Sequence, residues 1–205
     1  MTASLTLYSA KNTCALAVHI ALLEADAPHN VVWLDFAAQQ QRSADYLAIN
    51  PKGRVPALAT EHGVLTETPA LLFYVAQRFA AAQLAPLNNA FELARMQELM
   101  SYLASTVHVS HAHGRRGSRW ADEASSHADM KQKMPQNMID GFTVVEQHYL
   151  QGPWVLGDVY SVADAYLFTV ASWLKGDGVD IAQFPKVHAH TQRMLQRPAV
   201  QKALD

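Results

Sequence analysis

The chain holds one cysteine, Cys14, which stands where apolar residues at helical spacing (Leu16, Ile20, Leu23) begin. Backbone N–H groups at a helix start point outward, and the helix dipole favours negative charge there. A thiol so placed is expected to have a lowered pKa and to act as a thiolate. Asn12 or Thr13 is expected to cap the turn. The competing reading of a free cysteine is a small buried hydrophobe. A single thiol cannot close an internal disulfide or build a cysteine zinc site, so any redox cycle must be monothiol. Tyr8, Ser9 and Thr13 lie close enough in sequence to share in activating the thiol.

Two further stretches carry groups suited to holding a small peptide. Asn50-Pro-Lys-Gly-Arg-Val-Pro-Ala-Leu58 runs into a strand, where a proline cannot donate to the ladder. A cis Val55–Pro56 bond there would turn the N–H and C=O of Val55 towards an incoming peptide. An ordinary edge-strand proline is the alternative. Glu67-Thr-Pro69 opens a helix, with Thr68 expected as N-cap and Pro69 at the first helical position. This arrangement leaves a hydroxyl and backbone N–H groups for a carboxylate, and Glu67 for an ammonium.

Other candidates read as structural. Ser161-Val-Ala-Asp164 is a capping box and a folding signal rather than a catalytic acid. His108 and His111 share a helix face, but His113 points elsewhere, so no metal site is expected. Arg115, Arg116 and Arg119 form a small basic cluster, read as a solvated face rather than a site for an acidic ligand.

The elements that must position these residues change character along the chain. Leu5–Tyr8 and Val31–Leu34 read as strands flanking a helix over Cys14–Ala25, a βαβ unit with parallel strands. Ala57–Thr60 and Val64–Thr66 read as a hairpin turning at His62-Gly63, and a helix starts at Pro69. The order is β-α-β-β-β-α, with a short helical turn near Ser43–Leu47. Residues 82–88 are a proline-containing linker. Beyond it, Leu93, Met96, Met100, Leu103 and Val107 form a helical seam, repeated by Met134, Met138, Phe142, Val145 and Tyr149. A third long helix starts at Ser161 and stops at Gly176-Asp-Gly178, and two shorter helices are split by Pro198. The domains are thus 1–81, α/β, and 89–205, all-helical.

Composition sets limits. With 205 residues, 50% hydrophobic and a net charge of −2, the chain is a folded protein without a basic field for nucleic acid. Charged residues are only 17% against about 25% in typical domains, which leaves surface for a partner. The first ten residues lack the cations of a signal peptide, and the Cys14–Leu23 apolar run is too short for a membrane helix. A cytoplasmic protein that avoids membranes is expected.

The order of these pieces resembles the cytosolic glutathione transferases over essentially the whole chain, most closely the bacterial beta class. The segments 50–58 and Ser161-Val-Ala-Asp-Ala-Tyr-Leu-Phe168 carry the resemblance most specifically. It implies a thioredoxin-like N-terminal domain that binds glutathione and a helical C-terminal domain that lines an electrophile pocket. It implies that Cys14 faces the glutathione sulfur and that Val55, before cis-Pro56, pairs with the cysteinyl backbone. Glu67 and Thr68 would hold the γ-glutamyl end, and His108 would reach the sulfur from the helical domain. Ser101 and Ser105 would lie near the tripeptide. Homodimers, glutathione as co-substrate and no metal are also implied.

The departures concern the same site. Lys11-Asn-Thr-Cys14 replaces the usual Pro-Gly-Ala-Cys, adding a charge near the thiol, and Thr68 replaces serine. Ala37–Gln41 offers glutamines where relatives have a lysine for the glycyl carboxylate, which would lower glutathione affinity. The expected activity is transfer of the glutathione thiolate to a small hydrophobic electrophile, with monothiol disulfide exchange or peroxidase chemistry beside it. The alternative is a non-catalytic relative that binds a ligand or partner through the same scaffold.

Overall fold

The computed structural model describes residues 5–205. A four-stranded sheet of order β2-β1-β3-β4 opens the chain. Its strands are β1 (Leu5–Ser9), β2 (His29–Trp33), β3 (Ala57–Thr60) and β4 (Gly63–Thr66). β1 pairs parallel with β2, Leu5 opposite His29, and antiparallel with β3, Leu7 opposite Leu58. Alternation buries Leu5, Leu7 and Ser9 on one face of β1. The sheet and its helices form a thioredoxin-like domain.

Between β1 and β2 runs α1 (Ala15–Glu24), apolar nearly all round because it lies between the sheet and the later helices. α2 (Ala44–Ile49) is capped by Ser43, whose hydroxyl accepts from the Tyr46 N–H at 3.3 Å. The β3–β4 turn is Glu61-His62. Gly63 is the first residue of β4, at φ 121, rather than part of the turn. α3 (Thr68–Arg78) packs beside α1.

The rest is helical: α4 (Ala90–Tyr102), α5 (His108–Arg115), α6 (Ala124–Val144), α7 (Val162–Ala171), α8 (Pro185–Leu195) and α9 (Pro198–Leu204). Met96, Met100, Leu103 and Val107 bury against Met134, Met138, Phe142 and Val145, as the spacing requires. All ten residues of α7 are buried. α7 ends at Ala171 with Ser172 as C-cap, earlier than Gly176. The two glycines instead bracket the end of a following 3₁₀ turn, Gly178 at φ 80. A one-turn π-helix, Leu103–Val107, separates α4 from α5. Among the described residues no helix is long and apolar enough to cross a membrane.

Asp164 holds the start of α7. Its buried carboxylate accepts from the N–H groups of Val155 and Ser161, each at 2.8 Å, and from His190 Nε2 at 3.0 Å. The capping box therefore also ties α7 to α8 and to the preceding loop.

Candidate functional site

The β1–α1 loop, the turn into β3, the start of α3 and one face of α5 converge on a single cleft. Cys14, Val55, Pro56, Glu67, Thr68 and His108 all line it. Ser101 and Ser105 do not; both are exposed to solvent elsewhere. In a regular α-helix residues seven and three before His108 would share its face. The π-turn over Leu103–Val107 adds a residue to that turn and rotates them away.

Cys14 is the N-cap of α1, at φ −63, and is only 8% exposed. Its Sγ–H donates to the Val55 carbonyl at 3.7 Å. Burial pushes the thiol pKa up. The Thr68 hydroxyl and the Arg116 charge pull it down but do not overcome burial. The thiol therefore lacks the lowered pKa expected at a helix start, because burial outweighs the hydrogen bonds and the charge that favour the thiolate. Lys11 does not supply the missing charge: it is exposed and lies over the Trp33 ring, 5.9 Å from its centroid. Thr13 accepts from the Ala15 N–H at 3.3 Å and donates to the Ala10 carbonyl at 2.7 Å, so its hydroxyl is committed to the turn. Tyr8 packs on Tyr46, ring centroids 5.7 Å apart, and neither Tyr8 nor Ser9 lines the cleft.

The Val55–Pro56 bond is cis. The loop before it is fixed from two sides: Tyr46 Oη and Asn50 Nδ2 donate to the Arg54 carbonyl at 2.6 and 2.7 Å. Gly53 sits at φ 58, and a Cβ there would come within 2.9 Å of the Gln41 carbonyl oxygen, so no other residue fits.

The N-cap of α3 is Glu67 rather than Thr68, and α3 has no side-chain cap. Thr68 is the first helical residue, buried, with its hydroxyl free to act on Cys14. Glu67 takes φ 74, a conformation that costs a non-glycine residue about 1–3 kcal/mol and is kept where the surroundings impose it. Its carboxylate is engaged by Lys52 Nζ, which also donates to Thr66 Oγ1 at 2.5 Å.

His108 is pushed down to about 3 by burial and by the nearby cations, Arg116 foremost, so its ring is neutral. An Arg116 N–H donates to His108 Nε2 at 3.5 Å. His111 Nδ1 lies 2.7 Å from Asp177 Oδ2, and His113 packs against Trp120 with centroids 4.3 Å apart. The three histidines thus serve different partners. No metal-ligand group of three or more occurs among the described residues.

Arg116 corrects the sequence reading of the basic cluster. Arg115 pairs with Asp177 and Arg119, though it lines the cleft, is solvent-exposed as expected; Arg116 is the one drawn inward, and Arg54 of the N-terminal domain lines the same cleft. Arg116 Nε is buried without a partner. Burial and the neighbouring guanidiniums push Arg119 down to about 10. The signal for Arg116 was present: His108, Ala112 and Arg116 recur every four residues on one helix face. Trp120, Tyr166 and Trp173 complete an aromatic side of the cleft.

A thioredoxin-like domain and a helical domain facing each other across such a cleft define a class, and the sequence comparisons name it. Residues 3–77 match the family model "Glutathione S-transferase, N-terminal domain", and residues 128–193 match "Glutathione S-transferase, C-terminal domain". The chain belongs to the glutathione S-transferase family. It is 30% identical over 200 residues to glutathione S-transferase GstA of Escherichia coli O157:H7, covering 97% of this chain and 96% of that one. A glutathione transferase homolog from Sulfitobacter, solved with bound glutathione, superposes with a TM-score of 0.95 at 50% identity, covering 97% and 96% of the two chains. The beta class glutathione S-transferase of Sphingomonas chungbukensis superposes with a TM-score of 0.85 at 31% identity, covering 97% and 96%.

Proposed function

We propose that this cleft binds glutathione and presents its thiolate to small hydrophobic electrophiles. The observation that carries this reading is the convergence of Cys14, Val55, Glu67, Thr68 and His108, from four separate segments, on one cleft.

The tripeptide fits the donors in order. The γ-glutamyl ammonium joins Glu67, displacing Lys52. Its carboxylate meets the Thr68 N–H and hydroxyl at the positive end of α3. The cysteinyl backbone pairs with the N–H and C=O of Val55, as a strand would. Occupying the Val55 carbonyl releases the Cys14 S–H, which then donates to the glutathione sulfur. His108 stays neutral and positions Arg116, whose charge favours the thiolate. The glycyl carboxylate lies against Gln41 and Arg54. Ser101 and Ser105 have no part in this arrangement.

Transfer then forms one bond from the glutathione sulfur to the electrophile and breaks the bond to its leaving group. A second reaction uses Cys14 as nucleophile on oxidised glutathione: one S–S bond forms to Cys14, the old S–S bond breaks, and glutathione thiolate leaves. The raised pKa of Cys14 makes this the slower path at neutral pH.

The assembly proposed is a homodimer. Phe91 is 71% exposed, and Val64 and Leu65 of β4 are exposed as well, apolar surface that a second copy would cover. The domain division proposed remains 1–81 and 89–205, and the setting proposed is the cytoplasm, where detoxifying conjugation and a reduced Cys14 are compatible.

Retention on immobilised glutathione, followed by conjugation of chlorodinitrobenzene, tests the reading. Retention with turnover is expected. Retention without turnover would favour the non-catalytic scaffold, and failure of both would remove glutathione from the cleft.

A further inference from the structure

Resting on the transferase reading, the charge balance of the cleft says something about its second substrate. Three guanidiniums, Arg54, Arg116 and Arg119, line the cleft, and none of them enters an ion pair among the described residues. Arg42 stands close enough to act on Arg119. The one carboxylate in the lining, Glu67, is already matched by Lys52.

Glutathione does not use up this charge. Its ammonium takes the place of Lys52 at Glu67, its first carboxylate goes to Thr68, and the displaced Lys52 remains as a further cation at that end. Its glycyl carboxylate and thiolate remain for the cations. With Arg54 facing the first and Arg116 facing the second, Arg119 is left over. It projects from the helical domain, whose residues form the side of the cleft opposite Val55. Trp120 follows it in the chain, is 46% exposed, and also lines the cleft.

A guanidinium beside an exposed indole is a recognition pair for a flat ring bearing a carboxylate: the ring lies on the indole, and the fork takes the two oxygens. We propose that the second substrate is an aromatic electrophile carrying an anionic group, bound with its ring on Trp120 and its anion on Arg119. The reaction is unchanged. The glutathione sulfur bonds to the ring carbon, the carbon–halogen bond breaks, and halide leaves with the electron pair. A neutral ring leaves the excess positive charge uncompensated; an anionic ring compensates it at Arg119, a guanidinium that is solvent-exposed but gives up part of its hydration to the cleft.

The test compares two aryl chlorides, chlorodinitrobenzene and the carboxylate-bearing chlorodinitrobenzoate, as initial rates with saturating glutathione. The readout is the ratio of kcat/KM for the anionic over the neutral substrate, each corrected for its uncatalysed rate. The ratio is expected to exceed one in the unaltered protein, to fall roughly tenfold in Arg119→Ala, and to recover in large part in Arg119→Lys. It should also shrink with added salt. An unaltered ratio in Arg119→Ala would overturn the proposal. So would a rise in glutathione KM without a change in the ratio, which would assign Arg119 to the tripeptide. If the unaltered protein conjugates the neutral chloride but discriminates against the anionic one, the substrate class is wrong and the transferase reading stands. If it conjugates neither and does not bind glutathione, the transferase reading fails.

Discussion

Asp164→Ala should be the most damaging single change outside the cleft. The carboxylate accepts the buried N–H groups of Val155 and Ser161 at 2.8 Å each and holds His190 at 3.0 Å. Truncation takes the acceptor from three buried groups, the Val155 and Ser161 N–H groups and the His190 ring, at about 1–2 kcal/mol each. The expected loss is therefore about 3–6 kcal/mol, a large part of the stability of a typical domain. Asp164→Asn keeps one of the two acceptor oxygens and should cost about half as much. The assay is urea unfolding followed by circular dichroism, with the m-value compared among the three proteins. α7 carries Tyr166 and leads to Trp173, both on the cleft wall, so activity should be lost at lower temperature in step with folding. At temperatures where the variant remains folded, kcat should be nearly unaltered. A loss below 1 kcal/mol would refute the reasoning, as would a large fall in kcat in the fully folded variant.

Other consequences are more local. Glu67→Gln should raise the KM for glutathione roughly tenfold or more with a smaller effect on kcat, because a charge-assisted contact to the ammonium is lost; titration calorimetry of glutathione checks this. His108→Ala should lower kcat about ten- to a hundredfold with little change in the unfolding midpoint, since it positions Arg116 beside the sulfur; unchanged kinetics would remove His108 from the site. Adduct formation at Cys14 with oxidised glutathione, read by intact mass, should accelerate steadily from pH 7 to 9, because a raised pKa leaves the thiolate scarce at neutrality; a rate already flat below pH 7 would contradict it. His19 is held down to about 4 by burial, below its usual 6.5. The unfolded chain therefore takes up that proton first as pH falls, and His19 alone should remove about 2 kcal/mol of stability between pH 7 and pH 5, with His108, held lower still, adding a similar loss. His19→Phe should remove about half of that slope in urea melts at the two pH values.

Much of the site was legible because its signals are local. Val55-Pro56 and Glu67-Thr68-Pro69 announce a strand opening and a helix opening within a few residues; β3 follows Pro56 as the signal says, and α3 opens one residue earlier than expected, at Thr68. Cys14 also stands where its spacing indicates, but it is buried in a core cluster assembled from segments across the whole chain. Local sequence therefore showed the position of the thiol and missed the direction of its pKa shift. Ser101 and Ser105 fall outside the cleft lining for a related reason: a single π-turn changes the face that every earlier residue presents, and hydrophobic spacing barely registers it. Arg116 looked like part of a solvated helix end because the thiol it acts on, Cys14, belongs to the other domain.

The glutathione sulfur is proposed to sit between Cys14 and the Arg116–His108 pair, and a crystal structure of the protein with glutathione decides this. The tripeptide is expected alongside Val55, its γ-glutamyl end at Glu67 and Thr68, and its sulfur within hydrogen-bond reach of Cys14 Sγ. Glutathione bound elsewhere, as in the neighbouring cavity between Trp33 and Leu204, with Cys14 still bonded to the Val55 carbonyl, would contradict it.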